Sequence, residues 1–514
     1  MNNHTLFKKK GLLNITRAVF PAFFLLLALL FVFGSSPALA YDLEKKVVKH
    51  ELENGLVVLI LERHISPTIS LYIIHRVGAL QEEEGSTGAA HLLEHMLFKG
   101  TKTIGTKNYR QEKRILDQIR KTGNALDLER LKGEQADRGT INGLSEKLRH
   151  LQSQAKGLVV DNEIDRLYTE NGGVDLNAST GQDVTTYHVS LPANKVELWA
   201  RIESDRMTNP VFREFYSERD VVMEERKQTI ESAPKRKLME LLLATAFKAH
   251  PYRRPIIGWP SDVQSLSMDY IEWFSRTYHA PNNTVIAIVG DVDPVKTLGI
   301  VKKYFGAINR VSLPPLRITA EPAQQGEQRI VLAADANPHL LIGYHKPTLP
   351  SFDDYVFDVI DALLTRGRTS RLYRALVEER GIAESIDTAN GLPGSKHPNL
   401  FVIMAAPRHP HTAEELEAAI HEEIEKLKRE PVPPLELEKV VNQFRTDLIR
   451  DLDSNAGLAS KLSYYEAIAG DFRYITRHIQ VVESIKPEDI MKAARTYLVP
   501  ENRTVATLVK KENP

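Results

Sequence analysis

Short β-branched runs alternate along this chain with longer stretches of helical period. VVKHELENGLVVLILERH and PTISLYIIHRVGA are rich in Val, Ile and Leu, and Glu53-Asn54-Gly55 marks a turn inside the first. They predict a hairpin followed by a further strand. A glycine-rich loop, EEEGSTGAA, leads into AHLLEHMLFKGT, which reads as the start of a helix. Strand character returns in VDLNASTGQDVTTYHVSLP, where Val184, Thr186 and His188 alternate with their neighbours. The segments NKVELWARIESDRM and EFYSERDVVMEERKQTIESA predict two helices, and VIAIVGDV a strand beyond a further helical stretch.

The order then repeats. RIVLAA and HLLIGYH read as strands, FDDYVFDVIDALL as a helix and NLFVIMAAP as a strand, with helices and a last strand after them. Tyr278-His279-Ala280-Pro281-Asn282-Asn283 and Tyr497-Leu498-Val499-Pro500-Glu501-Asn502 each follow a helix and open a terminal strand, with the two prolines 219 residues apart. This predicts two homologous α+β units of about 220 residues, each an antiparallel-rich sheet covered by helices. The first is expected over residues 41–310 and the second over 329–514. The proline-rich, polar segment 311–328 is the expected linker.

Residues from 108 to about 172 break the pattern. EKRILDQIRKTG, LDLERLKGEQ and LSEKLRHLQSQAKG are dominated by charge, with Ile141, Leu144, Leu148 and Leu151 on one helical face. They predict a projecting helical hairpin, a solvated insertion in the first unit. A partner-binding surface is the alternative.

Composition narrows the chemistry. Of 514 residues, Lys+Arg and Asp+Glu each number 67, so no net charge points to nucleic acid or to an anionic membrane. There is no cysteine, so any metal must be held by His, Asp or Glu. Residues 1–40 carry Lys8, Lys9, Lys10 and Arg17, then an uncharged stretch from Ala18 to Phe33, then Ala38-Leu39-Ala40. That is the layout of a cleaved secretory signal. The alternative, a retained anchor, needs about 20 apolar residues. The expectation is an exported protein, periplasmic or secreted, with no membrane segment after cleavage.

His91-Leu92-Leu93-Glu94-His95 carries the sharpest chemical signal. On a helix, His91 and His95 share one face and Glu94 lies beside them. Two imidazoles so placed can bind one Zn²⁺, and a neighbouring carboxylate can take a proton from a water that the metal polarises. A catalytic zinc needs a third protein ligand and an open position. Glu218, Glu224 and Glu225 lie on one predicted helix, and Glu218 and Glu225 are two turns apart. Spacing alone leaves Glu224 and Glu225 tied.

HLLEHMLFKGT, NASTGQDVTTY, ESDRM, ERDVVMEER and HPYRRPIIG together resemble the insulinase/pitrilysin (M16) peptidases, relatives of mitochondrial processing peptidase, in the family's order and over essentially the whole mature chain. The resemblance implies a clam-shell of two homologous halves that hydrolyses short or unfolded peptides. It implies zinc on His91, His95 and Glu225, one ion per chain, with Glu94 as general base and Glu218 as an accessory acid. It also implies that Asn177, Ala178 and Tyr187 bind the substrate backbone as an added strand. Two departures stand out. The gap from His95 to Glu225 holds 129 residues, longer than the family's usual spacing. And the family's Arg and Tyr of the second half fall on Val377 and Glu384, with Arg371 a weak substitute. Those groups help stabilise the developing oxyanion. A homodimer or a second subunit of the same family could supply them. Two rival readings follow: a non-catalytic, peptide-binding member, and an exported protein whose zinc only holds the fold.

Overall fold

The first hairpin joins β1 (Val48–Glu51) to β2 (Val57–Glu62), and Gly55 at φ 85° makes the turn. The computed structural model describes residues 43–511; the expected signal at 1–40 lies outside them. Residues 43–46 form a helical turn in the N-terminal unit that ends at Val47, and from Val48 the chain is one unit holding two sheets.

The first sheet has the order β1-β2-β6-β3-β5-β4, with β3 (Thr68–His75), β4 (Val174–Thr180), β5 (Thr185–Pro192) and β6 (Thr284–Gly290). The second has the order β7-β11-β8-β10-β9, with β7 (Gln328–Ala334), β8 (His339–Lys346), β9 (Ala383–Leu392), β10 (Asn399–Pro407) and β11 (Arg503–Lys510). Each sheet contains one parallel pair, β2 with β6 and β7 with β11, and is otherwise antiparallel. The two Pro-Asn segments become equivalent turns. Asn283 Nδ2 donates to the Tyr278 carbonyl and Asn502 Nδ2 to the Tyr497 carbonyl, both at 2.8 Å. The fold is therefore mixed α+β, in two homologous halves.

The helices that position the site are α1 (Ala89–Met96), α2 (Tyr109–Arg130), α3 (Arg138–Lys156), α4 (Val196–Thr208), α5 (Phe215–Arg226) and α6 (Pro234–Ala246). In the second half, α7 (Phe352–Thr365), α8 (Pro434–Asp453) and α9 (Asn455–Ala469) occupy the corresponding order.

The halves exchange helices. Leu238, Leu242 and Ala246 of α6 pack with Leu341, Leu400, Val402, Ala506 and Leu508 of the second sheet. Reciprocally, α9 packs on β3 and β6 of the first sheet. The segment between the halves, without helix or strand over 309–327, is stitched down as well: the Glu321 carboxylate accepts from the backbone N–H groups of Lys248, Ala249 and His250 at 2.8–2.9 Å.

The hairpin of α2 and α3 projects less than its charge pattern predicts. Ile119, Leu126, Leu148, Leu151 and Ala155 join the first core. Arg213 makes a two-pronged ion pair with Glu112, at 2.6 and 3.0 Å, and both are buried. Arg219 of α5 pairs likewise with Asp127, at 3.0 and 3.1 Å. A helix rich in charge can thus have an inner face whose charges are each matched across the interface.

Because α6 is shared between the halves, damage to it should unfold both. Leu242→Ala, at a fully buried position, is expected to cost about 2–5 kcal/mol and to lower a single denaturant transition, followed by circular dichroism. Two separate transitions would count against the interlock.

Candidate metal centre

The helix α1 has only eight residues, so its placement depends on its ends. At the N-terminus, Gly88 takes φ 89°, and a Cβ there would lie 2.7 Å from the Ile257 carbonyl oxygen. This explains the glycine-rich approach. The buried Glu82 carboxylate accepts from Gly88 N–H at 2.9 Å and Ala90 N–H at 2.8 Å. Burial pushes the Glu82 carboxyl up to about 8, against the pull of those two N–H groups. At the other end, Arg206 of α4 donates from Nε to the Leu97 carbonyl at 3.1 Å. Its guanidinium is in turn held by Glu203 at 2.8 and 2.9 Å. The positive Arg206 at the carbonyl end matches the helix dipole, and the Glu82 oxygens take up free N–H groups at the other end. Arg213 fixes the chain beyond, donating to the carbonyls of Lys99, Ile104 and Thr101.

So held, α1 directs His91 and His95 toward Glu225 on α5. Glu225 Oε2 lies 3.8 Å from His91 Nε2 and 3.5 Å from His95 Nε2. One ligand atom from each residue falls within 4.8 Å of the others. Zinc bonds of about 2.0–2.2 Å in a tetrahedron separate neighbouring ligand atoms by about 3.4 Å. The two histidines and one carboxylate therefore fit a zinc ion that keeps one position open. Glu224, tied with Glu225 on spacing, is not in this group; it accepts from Gln228 at 3.2 Å on the solvent side of the helix.

Glu218 lies behind the histidines. Its Oε2 is 3.4 Å from His95 Nδ1, the ring nitrogen that faces away from Glu225. Lys99 bridges Glu218 and Glu214. Such a carboxylate fixes the tautomer and rotation of the ring. For His95, burial acts downward, but the Glu218 hydrogen bond and the charges of Glu225, Glu218 and Glu94 outweigh it, and its pKa is raised. Burial and then the charge of His95 push His91 down to about 4. For Glu94, burial raises the pKa, opposed by Thr180, whose Oγ1 donates to Oε2 at 2.5 Å.

A cavity of about 470 Å³ opens beside these groups, lined by residues between His91 and Ile257. The edge strand β4 forms one wall, with Ala178, Ser179 and Thr180. Asn177 is exposed on that strand, and its Oδ1 accepts from Ala178 N–H at 2.9 Å. Tyr187 departs from expectation. It lies on the inner strand β5 opposite Ala178, is 4% exposed, and faces the core. There it packs beneath the Arg206 guanidinium, 4.8 Å from the ring centre, and edge-on to His75 and His279. The expected second-half residues are elsewhere too. Val377 packs on the second core, Glu384 is exposed on β9, and Arg371 is bound to Glu436 at 2.7 and 2.8 Å.

Spacing alone missed Thr180, Glu82 and Arg206. Thr180 follows Ala178 by two on the strand, so period-2 alternation places both on one face. Glu82 and Arg206 act on backbone groups and leave no such mark.

The second half keeps the frame without the ligands. Both equivalent helices are followed by a left-handed glycine, Gly100 at φ 97° and Gly367 at φ 83°. Counting back from each, His91, Glu94 and His95 fall against Asp358, Asp361 and Ala362. Asp358 pairs with His478 at 2.8 Å.

With this geometry in view, the comparisons fix the class. The family description "Insulinase (Peptidase family M16)" matches residues 57–127 and 132–259, and "Peptidase M16 inactive domain" matches 265–444. The chain belongs to the insulinase family, peptidase family M16. It is 26% identical over 471 residues to the zinc protease PqqE of Helicobacter pylori, covering 90% of this chain and 93% of that protein. A solved protease from Helicobacter pylori superposes with a TM-score of 0.75 at 24% identity, over 90% of this chain and 99% of the other. The periplasmic protease PqqL from Escherichia coli superposes with a TM-score of 0.66 at 17% identity, over 90% of this chain but 47% of its own length.

The polar layer under the site has a consequence for acid stability. Burial drives His279 down to about 3, and His75 well below its ordinary value of 6.5. Below pH 6.5 the unfolded chain binds protons at both histidines that the folded chain does not take up. Stability is therefore full above that pH and falls as pH drops, by about 1.4 kcal/mol per unit for each histidine. Urea midpoints at pH 7.5 and pH 5 should show the loss, and His279→Gln should reduce its slope.

Proposed function

We propose that this protein is an exported zinc endopeptidase that hydrolyses short or unfolded peptides. The observation that carries the reading is the convergence of His91, His95 and Glu225 on one point, with Glu94 beside it at the edge of an open strand. His91, His95 and Glu225 would hold the ion, with Glu218 orienting His95. A zinc ion so held would supply Lewis acidity, enough for a water to be deprotonated near neutral pH. Glu94 would take a proton from the water as its oxygen adds to the peptide carbonyl carbon, and would deliver it to the amide nitrogen as the C–N bond breaks. Thr180 holds Glu94 at Oε2, and Glu94 lines the cavity. The raised pKa of Glu94 suits a group that must both accept and return a proton.

The substrate lies as a further strand on β4, where Asn177 and Ala178 present backbone and edge. Strand addition reads main chain and so tolerates many sequences. It also demands an extended segment, which favours unfolded peptides. The relatives' description as zinc proteases supports the metal, and the leader pattern of residues 1–40 and the periplasmic setting of PqqL support export. No helix among the described residues is long and apolar enough to cross a membrane.

Glu94→Gln is expected to keep zinc, measured by atomic absorption, and to lower cleavage of a quenched peptide by at least about a hundredfold. Wild-type rates in that variant would sink the mechanism.

One observation favours a second chain at the site. Every residue lining the cavity precedes Pro260, while Val377 and Glu384 stand apart from it, so the second half supplies none of the facing wall. PqqL, about twice as long, carries a further half in one chain. A second copy or a second family member would close the cavity here. Specific activity should then rise with protein concentration, or on adding the second chain, in step with the assembly seen by light scattering. Activity independent of concentration in a strictly monomeric protein would rule this out.

A further inference from the structure

The cavity beside the metal centre has a charge pattern that neither the metal nor strand addition requires. Its wall opposite β4 comes from α6 and from the loop at 253–257, and carries Met239, Leu243 and Ile257 together with Arg236, Arg253 and Arg254. Three arginines beside Met239, Leu243 and Ile257 need a reason, because each must be hydrated, paired or matched by a ligand.

The acidic residues nearby are largely committed. Glu240, on the same wall, is held by Arg226 through two bonds of 2.9 and 3.0 Å. Arg253 and Arg254 share a single carboxylate, Glu84, at 2.7 and 3.2 Å, and Glu84 is itself exposed. Arg254 also spends one nitrogen on the Glu82 carbonyl. Arg236 forms no ion pair among the described residues, and neither do its neighbours Lys235 and Lys237; all three are exposed. Glu94 and Glu225 lie at the end of the cavity beside His91, where a bound cation would offset their charge. The wall away from the metal is left with a surplus of positive charge.

Resting on the reading of this cleft as a peptide site, we infer that it selects acidic peptide segments, with Arg236 receiving a Glu or Asp side chain of the bound strand. In an extended strand every second side chain points the same way. One such side chain beside the scissile bond meets Met239, Leu243 and Ile257, and another along the strand meets Arg236. An apolar residue flanked by an acidic one therefore fits the wall, and a lysine or arginine at the same place meets like charge. Because Arg236 is exposed, its contribution is modest and falls as salt screens it.

The test separates recognition from chemistry. Peptides that differ only in one flanking position, as Glu, Gln or Lys, are titrated by fluorescence anisotropy into the Glu94→Gln protein and, in parallel, offered to the wild type for cleavage. Affinity is expected to fall from Glu to Gln to Lys by about twofold to fivefold per step, and the differences should shrink at high salt. Adding Arg236→Glu should reverse the order, and Arg236→Gln should flatten it, with circular dichroism and zinc content unchanged in both. Equal binding of all three peptides, tighter binding of the Lys peptide, an order insensitive to Arg236, or no binding at all would overturn the inference. If the binding order holds while the wild type cleaves none of the peptides, the peptidase reading fails and the acidic preference stands.

Discussion

The structure turns on an eight-residue helix whose two ends are held by buried polar side chains. A helix this short has little stability of its own, because the cost of nucleation is spread over few hydrogen bonds. Here the Glu82 carboxyl closes the N-terminal N–H groups of α1 and Arg206 closes a C-terminal carbonyl, while Arg213 fixes the following turn. Each clamp comes from a different part of the chain. Glu82 precedes the helix, Arg206 lies on α4, and Arg213 is itself locked to Glu112 of α2. Candidate metal ligands such as His91 and His95 need close placement, and these clamps fix the helix that carries them without a disulfide. It also explains why the long excursion between His95 and Glu225 does no harm. The excursion returns through the Glu112–Arg213 and Asp127–Arg219 pairs to the helix that carries Glu225.

The second half serves the site from a distance. α6 lies on the second sheet, and Arg236, Met239, Glu240 and Leu243 along it line the cavity, with Met239 and Leu243 touching both. A second link runs through Asp183, at the turn between β4 and β5. Its carboxylate accepts from Ser395 N–H at 2.7 Å and from the Tyr252 hydroxyl at 2.8 Å. The turn that follows Thr180 is thereby tied to the loop between β9 and β10. The second half thus holds two walls of the cleft without placing a side chain in it.

Much of this was legible in the sequence, and the pattern of what was not is physical. The strands β1, β2, β3, β5 and β6 announce themselves by β-branched runs and by the Asn54-Gly55 turn, and the two halves by the paired Pro-Asn segments. The ligand pair His91 and His95 follows from helix geometry. Glu225 could not be told from Glu224 by spacing, since adjacent helical residues differ by about 100° and the sequence does not say which face meets α1. Tyr187 was misplaced for a related reason. Its strand lies one position inside the sheet edge, and sequence does not reveal that β4 is outermost. The helical excursion read as solvated because buried ion pairs look like surface charge until their partners are known. The exchange of α6 and α9 left no trace, since an apolar face does not name the sheet it covers.

The second half also shows why a site can vanish while its frame remains. Asp358 and Ala362 occupy the places of His91 and His95, so the metal set is gone, yet the sheet order, the helix and the closing glycine are retained. Nothing in the packing of α7 requires imidazole. What packing does require is a sheet to receive α6, and that constraint acts on Leu341, Leu400, Val402 and Leu508, which sit on the strands. Loss of the ligands leaves the scaffold intact, whereas loss of the sheet would release α6 and, with it, the wall that carries Arg236. The second half is therefore coupled to the candidate site through the packing of α6.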